Sequence, residues 1–250
     1  MEIDGGRYHA PYYPDPIIER LSLYLPGHIA LGYLSAWVVA KTLRQRLILW
    51  VALTAGMVPD FDLLFRGFGL EHATYTHSLV VWAPVALLLV TWRRGSLPYV
   101  AALLQHIVVG DLIIGSPPLL LPLSDVSLGL GLEMSSMPDA LIEFSSLLVM
   151  AIVLLRSGDL GRLMAGGCEG VLVAVPLVSM IGLTWFAENG SAPSVIQGAL
   201  NLVDYGFSNE ALIIITIGHI LMAGLMTAAV LKAILTLQFD FHRARLYFTI

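Results

Sequence analysis

The chain has 250 residues, of which 57% are hydrophobic and only 12% charged, with a net charge of −5 and a mean hydropathy of +0.81. A soluble domain carries roughly 25% charged residues, and half that density cannot coat a soluble surface of this size. The composition excludes an ordinary cytosolic enzyme, a disordered chain and a nucleic-acid binder relying on a basic face, and the single Cys168 excludes an internal disulfide and a cysteine-rich metal site.

Residues 1–20 contain Asp4, Arg7, Asp15, Glu19 and Arg20 and no apolar core of the signal-peptide kind, so they read as a short outer arm. Apolar blocks then follow at 21–40, 47–59, 78–92, 95–110, 140–155, 170–187 and 211–231. A membrane helix needs about 20 mostly apolar residues. The longer blocks meet that alone, and the shorter ones borrow flanking residues whose charged tips reach the interface. The expected fold is therefore all-α, a polytopic transmembrane bundle of about seven spans forming one domain over 21–250. The stretch 112–124 is apolar too, but Ser116-Pro117-Pro118 breaks it, which suits an interfacial or re-entrant segment.

The charges set an orientation. With the N-terminus outside, Lys41, Arg44, Arg46, Arg93, Arg94, Arg156, Arg162, Lys232, Arg243 and Arg245 face the cytoplasm, and Arg7, Arg20 and Arg66 do not. The positive-inside rule favours this N-out, C-in assignment in the cell membrane. Of the acidic residues, only Asp159, Glu169 and Asp240 fall inside.

Seven imidazoles and carboxylates then share the outer side. They are His28 near the start of the first block, Asp60 and Asp62 after the second, His72 and His77 before the third, and His106 and Asp111 at the end of the fourth. Neutral imidazole and carboxylate suit divalent ions, zinc foremost, with manganese or magnesium as alternatives. Thr76 or Ser78 can cap the third helix and fix His77. His28 and Gly32 share a helix face, and Gly32 permits a close approach there. His106 and Asp111 are five apart, about 140° around a regular helix, so a bulge or early helix end near Gly110 is required for both to serve one ion. Each feature has a plainer reading: a lone intramembrane histidine usually bonds a neighbouring helix, as expected for His219, and Pro-Asp-x-Asp is often a turn. His9 and His242 read as solvated. The coincidence of clusters carries the metal reading.

The ordered set His28…Gly32, Pro59-Asp60-Phe61-Asp62, His72…Thr76-His77-Ser78 and His106…Asp111, followed by Leu121-Pro122-Leu123-Ser124, resembles a family of inner-membrane-associated metal-dependent hydrolases described as LexA-binding. The resemblance covers residues 27–124 and leaves 125–250 as accessory helices. That family is similar to zinc-dependent phospholipase C, which implies a His/Asp metal cluster and hydrolysis. Many members have Arg where this chain has Ala73, and a His and Asp four apart where His106 and Asp111 are five apart. The expectation is a metal-dependent hydrolase of a phosphoester, its substrate lipid-like. Asp60 or Asp62 would act as bridging ligand or base, Leu63-Leu64-Phe65-Arg66-Gly67-Phe68 would dip into the interface, and Arg66 would meet a phosphate. Its partners would be the bilayer and that substrate, with no nucleic acid. The competing expectation is a divalent-cation transporter or a non-catalytic metal-binding membrane protein.

Overall fold

The computed structural model describes residues 24–68, 72–133, 136–188 and 209–247. The expected outer arm, His9, and the side chains of Arg66 and His242 lie outside what is described. Every regular element among the described residues is helical, the arrangement in which each segment satisfies its own backbone in lipid.

Helix α1 (Leu25–Thr42) begins with Pro26 in its first turn, where a missing N–H is harmless. It occupies the centre of the bundle, with Ile29, Ala30, Tyr33 and Ala36 fully buried. Its C-terminus closes in a Schellman motif. The Arg44 N–H donates to the Lys41 carbonyl (3.1 Å) and the Gln45 N–H to the Ala40 carbonyl (2.8 Å), with Arg44 at φ 55. Helix α2 (Leu49–Ala55) returns along α1. The two backbones touch at a pair of glycines: a Cβ on Gly32 would lie 2.8 Å from the Gly56 Cα, and one on Gly56 would overlap the His28 carbonyl oxygen.

A 3-10 segment (Pro59–Phe68) and a 3-10 turn (Tyr75–His77) lead to α3 (Leu79–Trp92). Ser78, not Thr76, is the cap of α3, accepting from the Val80 N–H at 3.1 Å. Helix α4 (Leu97–Gln105) continues through a π-helical turn (His106–Asp111) into α5 (Leu112–Ile114). The chain then leaves helix at Gly115-Ser116-Pro117-Pro118, as expected from the prolines. The loop beyond docks on the start of α3, where the Leu79 N–H donates to the Leu119 carbonyl at 2.9 Å. The remaining helices are α6 (Met137–Ser157), α7 (Asp159–Leu163), α8 (Gly167–Leu172), α9 (Ala174–Glu188) and α10 (Asn209–Tyr247). The core joins both sides of residue 125, since Met150, Leu154, Met222 and Met226 pack in one cluster with Ile29, Tyr33 and Leu53.

Among the described residues, four stretches are long and apolar enough to cross a membrane: Arg94–Ile114, Met137–Ser157, Gly167–Thr184 and Glu210–Leu237. The expectation of seven is thus met only in part. The second block yields seven helical residues, a rise of about 10 Å against a hydrocarbon core of about 30 Å. Gly56 and Pro59 end it early because the chain must turn there to deliver Asp60. Helix α3 has 14 residues, apolar on every side and none buried, the pattern of a helix that does not rely on water for its outer face.

Candidate metal centre

All seven expected residues converge at one end of the bundle. His28 projects from the first turns of α1, Asp60 and Asp62 from the 3-10 segment after α2, and His77 from the turn before α3. His106 and Asp111 come from the two ends of the π-turn. His28, Asp60, Asp62, His77, His106 and Asp111 are buried, and the His72 side chain is nearly so. Three groups have ligand atoms within 4.8 Å of one another: His28/His106/Asp111, Asp60/His77/His106 and Asp62/His72/His77.

The π-turn resolves the five-residue spacing. Its i→i+5 bonding stacks residues five apart, which a regular helix would separate, and His106 Nε2 comes to 3.6 Å from Asp111 Oδ1. Gly110, inside that turn, leaves room for the His28 ring, which a Cβ would overlap. His28 lies stacked on His106, with ring centroids 3.6 Å apart.

An outer ring of acceptors fixes the imidazoles. His72 Nδ1 donates to Asp62 Oδ1 (2.8 Å), His77 Nδ1 to Asp111 Oδ2 (2.6 Å) and His106 Nδ1 to the Gly56 carbonyl (2.7 Å). A carboxylate or carbonyl can only accept, so all three rings carry their proton on Nδ1 and direct Nε2 inward. Holding the far nitrogen of a ligating histidine in this way is the usual support of a metal site. Asp62 is fully engaged in it: its second oxygen accepts from the Ala73 N–H (3.2 Å) and from the Thr76 hydroxyl. Thr76 thus serves the loop rather than the helix cap. The loop around Leu121 is tied in through Ser78, whose hydroxyl donates to the Leu119 and Leu121 carbonyls at 3.1 and 2.5 Å.

Inside this ring the polar atoms face one another without hydrogen bonds. Asp60 Oδ1 lies 3.3 Å from His106 Nε2, 3.6 Å from His77 Nε2 and 3.9 Å from His72 Nε2. Asp60 Oδ1, His77 Nε2, His106 Nε2 and Asp111 Oδ1 are all buried with no hydrogen-bond partner. Lone pairs buried against lone pairs are costly unless a cation lies among them. A shared proton would draw the atoms to about 2.7–2.9 Å. A cation with bonds of about 2.0–2.2 Å instead holds ligand atoms on the order of 3–3.5 Å apart, close to what is seen. The residues therefore fit a divalent metal.

Burial alone would raise the Asp60 carboxyl, but the electrostatic pull of the imidazoles around it, His106 foremost, outweighs it and holds the group below the ordinary carboxylate range. Burial would lower His72, but its hydrogen bond to Asp62 and the charges of Asp60, Asp62 and Asp111 raise it overall. A metal entering the centre must displace protons held this way.

Sequence reasoning missed three contributors that have no side-chain chemistry: the Gly56 carbonyl, the space at Gly110, and the backbone of His28, whose carbonyl accepts from Gln105 Nε2 at 3.2 Å. Only the Gly32–Gly56 contact left a trace, as an expected close approach at Gly32, and its partner is helix α2 rather than a ligand. His219 was expected to bond a neighbouring helix; it bonds its own instead, Nδ1 donating to the Ile215 carbonyl one turn earlier at 3.0 Å. No family model, curated protein or solved structure matches the chain.

Proposed function

We propose that the protein is a multi-pass cell-membrane hydrolase that uses divalent metal, zinc foremost, to cleave a phosphoester carried by a lipid. The observation that carries this reading is the set of buried Nε2 and carboxylate oxygens around Asp60 Oδ1, locked in place and left unsatisfied. His28, Asp60, His72, His77, His106 and Asp111 would hold the metal, and Asp62 would orient His72. A metal bound there would supply Lewis acidity and a bound water of lowered pKa. Asp60 Oδ1, which lies within 3.9 Å of three imidazole nitrogens, would be a ligand to the metal. The outer ring of acceptors keeps His72, His77 and His106 in their metal-binding tautomer throughout.

Several features support a lipid substrate and the expected orientation. Leu64, Phe65, Phe68 and Tyr75 from the 3-10 segments beside Asp60 and His77, and Leu120 and Leu123 from the loop tied to Ser78, are exposed at the same end as the centre. Apolar groups beside a polar centre suit a substrate that is itself part lipid. The seven segments α1, α2, α3, α4 with its π-turn, α6, α9 and α10 would alternate between this outer end and the arginine-rich end. The resemblance to metal-dependent hydrolases points to the same chemistry.

The competing reading is cation transport. Among the described residues, the three groups of clustered ligands lie at one end of the bundle, which favours a one-sided site. Hydrolysis of a soluble phosphodiester and of phospholipid vesicles by detergent-purified protein, with and without chelator, tests the proposal. Chelator-sensitive cleavage lost in Asp60→Ala is expected. Cleavage insensitive to both, or metal uptake by proteoliposomes without cleavage, would contradict it.

A further inference from the structure

At the end of the bundle opposite the metal centre, a cleft of about 390 Å³ opens where α1 ends and α6 gives way to α7. Its lining includes Trp37, Lys41, Arg44, Arg46, Asp159 and Arg162. The charges do not cancel. Asp159 is taken up by Arg162 (2.8 Å) and by the Tyr33 hydroxyl (2.9 Å). Arg46 makes only a long contact with Glu169, at 3.9 Å, with its side chain 80% exposed. Among the described residues, Lys41 and Arg44 have no carboxylate at ion-pair distance, and the Lys41 ammonium stands 5.9 Å from the Trp37 ring.

Arg44 adds an independent signal. It is the residue after the helix cap in the Schellman motif, at φ 55, where glycine is the usual occupant because a Cβ is disfavoured. The chain accepts backbone strain to place a guanidinium at the mouth of the cleft. Apolar side chains stand among these cations: Val38, Leu43 and Ile48 are exposed, and Trp37 is half-buried. Tryptophan with aliphatic neighbours marks the depth at which lipid headgroups begin.

We propose that this cleft binds the phosphate of an anionic phospholipid of the cytoplasmic leaflet, with Lys41, Arg44 and Arg46 around the phosphate and the acyl chains against Val38 and Leu43. Basic pockets between helices on the cytoplasmic side take headgroups of this class. Inorganic phosphate would satisfy the cations equally but would leave the apolar rim without a role. The site stands apart from the metal centre, and its existence does not depend on the hydrolase reading.

The test measures lipid retention by the full chain in neutral detergent, offering phosphatidylglycerol, phosphatidylcholine and inorganic phosphate separately. Phosphatidylglycerol is expected to bind at least about ten-fold more tightly than phosphatidylcholine, and more weakly as salt rises. The Lys41→Gln/Arg44→Gly double variant should lose roughly 25-fold, about five-fold per cation near a headgroup. Arg44→Gly alone is the control for folding. It relieves the strained position, so the unfolding midpoint should hold or rise while lipid affinity falls. A purely structural arginine would lose the midpoint and leave lipid selectivity intact. His77→Ala should retain phosphatidylglycerol like the wild type. Equal binding of the two lipids, undiminished binding by the double variant, or tight binding of inorganic phosphate that displaces the lipid at equal concentration would each overturn the proposal.

Discussion

The bundle has a polar cluster at each end, and the two are built on opposite principles. At the arginine-rich end the knot around Asp159 and Arg162 closes on itself, beside Lys41 and Arg44, which lack a carboxylate partner among the described residues. Arg162 donates to Asp159 (2.8 Å), the Leu47 carbonyl (2.8 Å) and Glu169 (3.3 Å), while Asp159 also accepts from Tyr33. At the other end the histidines and aspartates are satisfied only on their outward atoms, and the inward ones are left facing one another. The knot around Arg162 is complete as it stands and joins α1, α7 and α8. The second cluster is complete only with a cation. The difference separates a polar group kept for architecture from one kept for a ligand.

The comparison is most sharply broken by removing one member of each cluster. Asp60→Ala or His77→Ala should abolish metal binding and metal-dependent activity. Loss of a supporting residue alone typically costs about 10–100-fold in metal affinity, so loss of a ligand should exceed that, read by elemental analysis and activity. Stability of the metal-free protein should be little changed in Asp60→Ala, which removes an unsatisfied buried oxygen, whereas His77→Ala also leaves the buried Asp111 without its hydrogen bond and should cost roughly 1–3 kcal/mol. Asp62→Ala, which frees His72 to rotate, should fall within that roughly 10–100-fold range while leaving His77 and His106 in place, read by metal titration.

Arg162→Ala should behave in the opposite way. It should cost roughly 1–3 kcal/mol, the penalty for leaving Asp159 without its charged partner, with metal content unaffected, as denaturant unfolding and elemental analysis would show. A similar loss of metal in this variant would mean that the two ends are one coupled unit. Gly110→Ala tests the packing beneath the centre. Its Cβ would overlap the His28 ring, so it should cost roughly 1–3 kcal/mol in overpacking and also lower metal affinity. The smallest expected effect is that of pH. Because His72 holds its proton above the ordinary imidazole range, metal should be released as pH falls through neutrality and regained as it rises, followed by metal titration at several pH values.

Much of the candidate centre was legible in the sequence because its ligands are chemically conspicuous residues in a chain with little charge. His28, Asp60, Asp62, His72, His77, His106 and Asp111 stand out against apolar neighbours. The irregularity between His106 and Asp111 was legible as a requirement, since a regular helix could not bring them together, although its π-helical form was not. The number of spans was less legible. Composition marks apolar blocks, but it does not show that Gly56 and Pro59 cut the second one short to place Asp60. Nor could it separate a ligand from its support: Asp60 and Asp62 look alike in Pro59-Asp60-Phe61-Asp62, and only the partners around them make one the centre and the other a brace. The Gly56 carbonyl and the room at Gly110 carry no residue-type signal at all.

Elemental analysis of detergent-purified wild type beside His77→Ala, each after dialysis against metal-free buffer and re-exposure to zinc, is the most direct test of the metal centre. Retention of metal in stoichiometric amounts by the wild type and its loss from the variant is the expected result. Wild-type protein that holds no metal, or a variant that holds as much, would contradict the account.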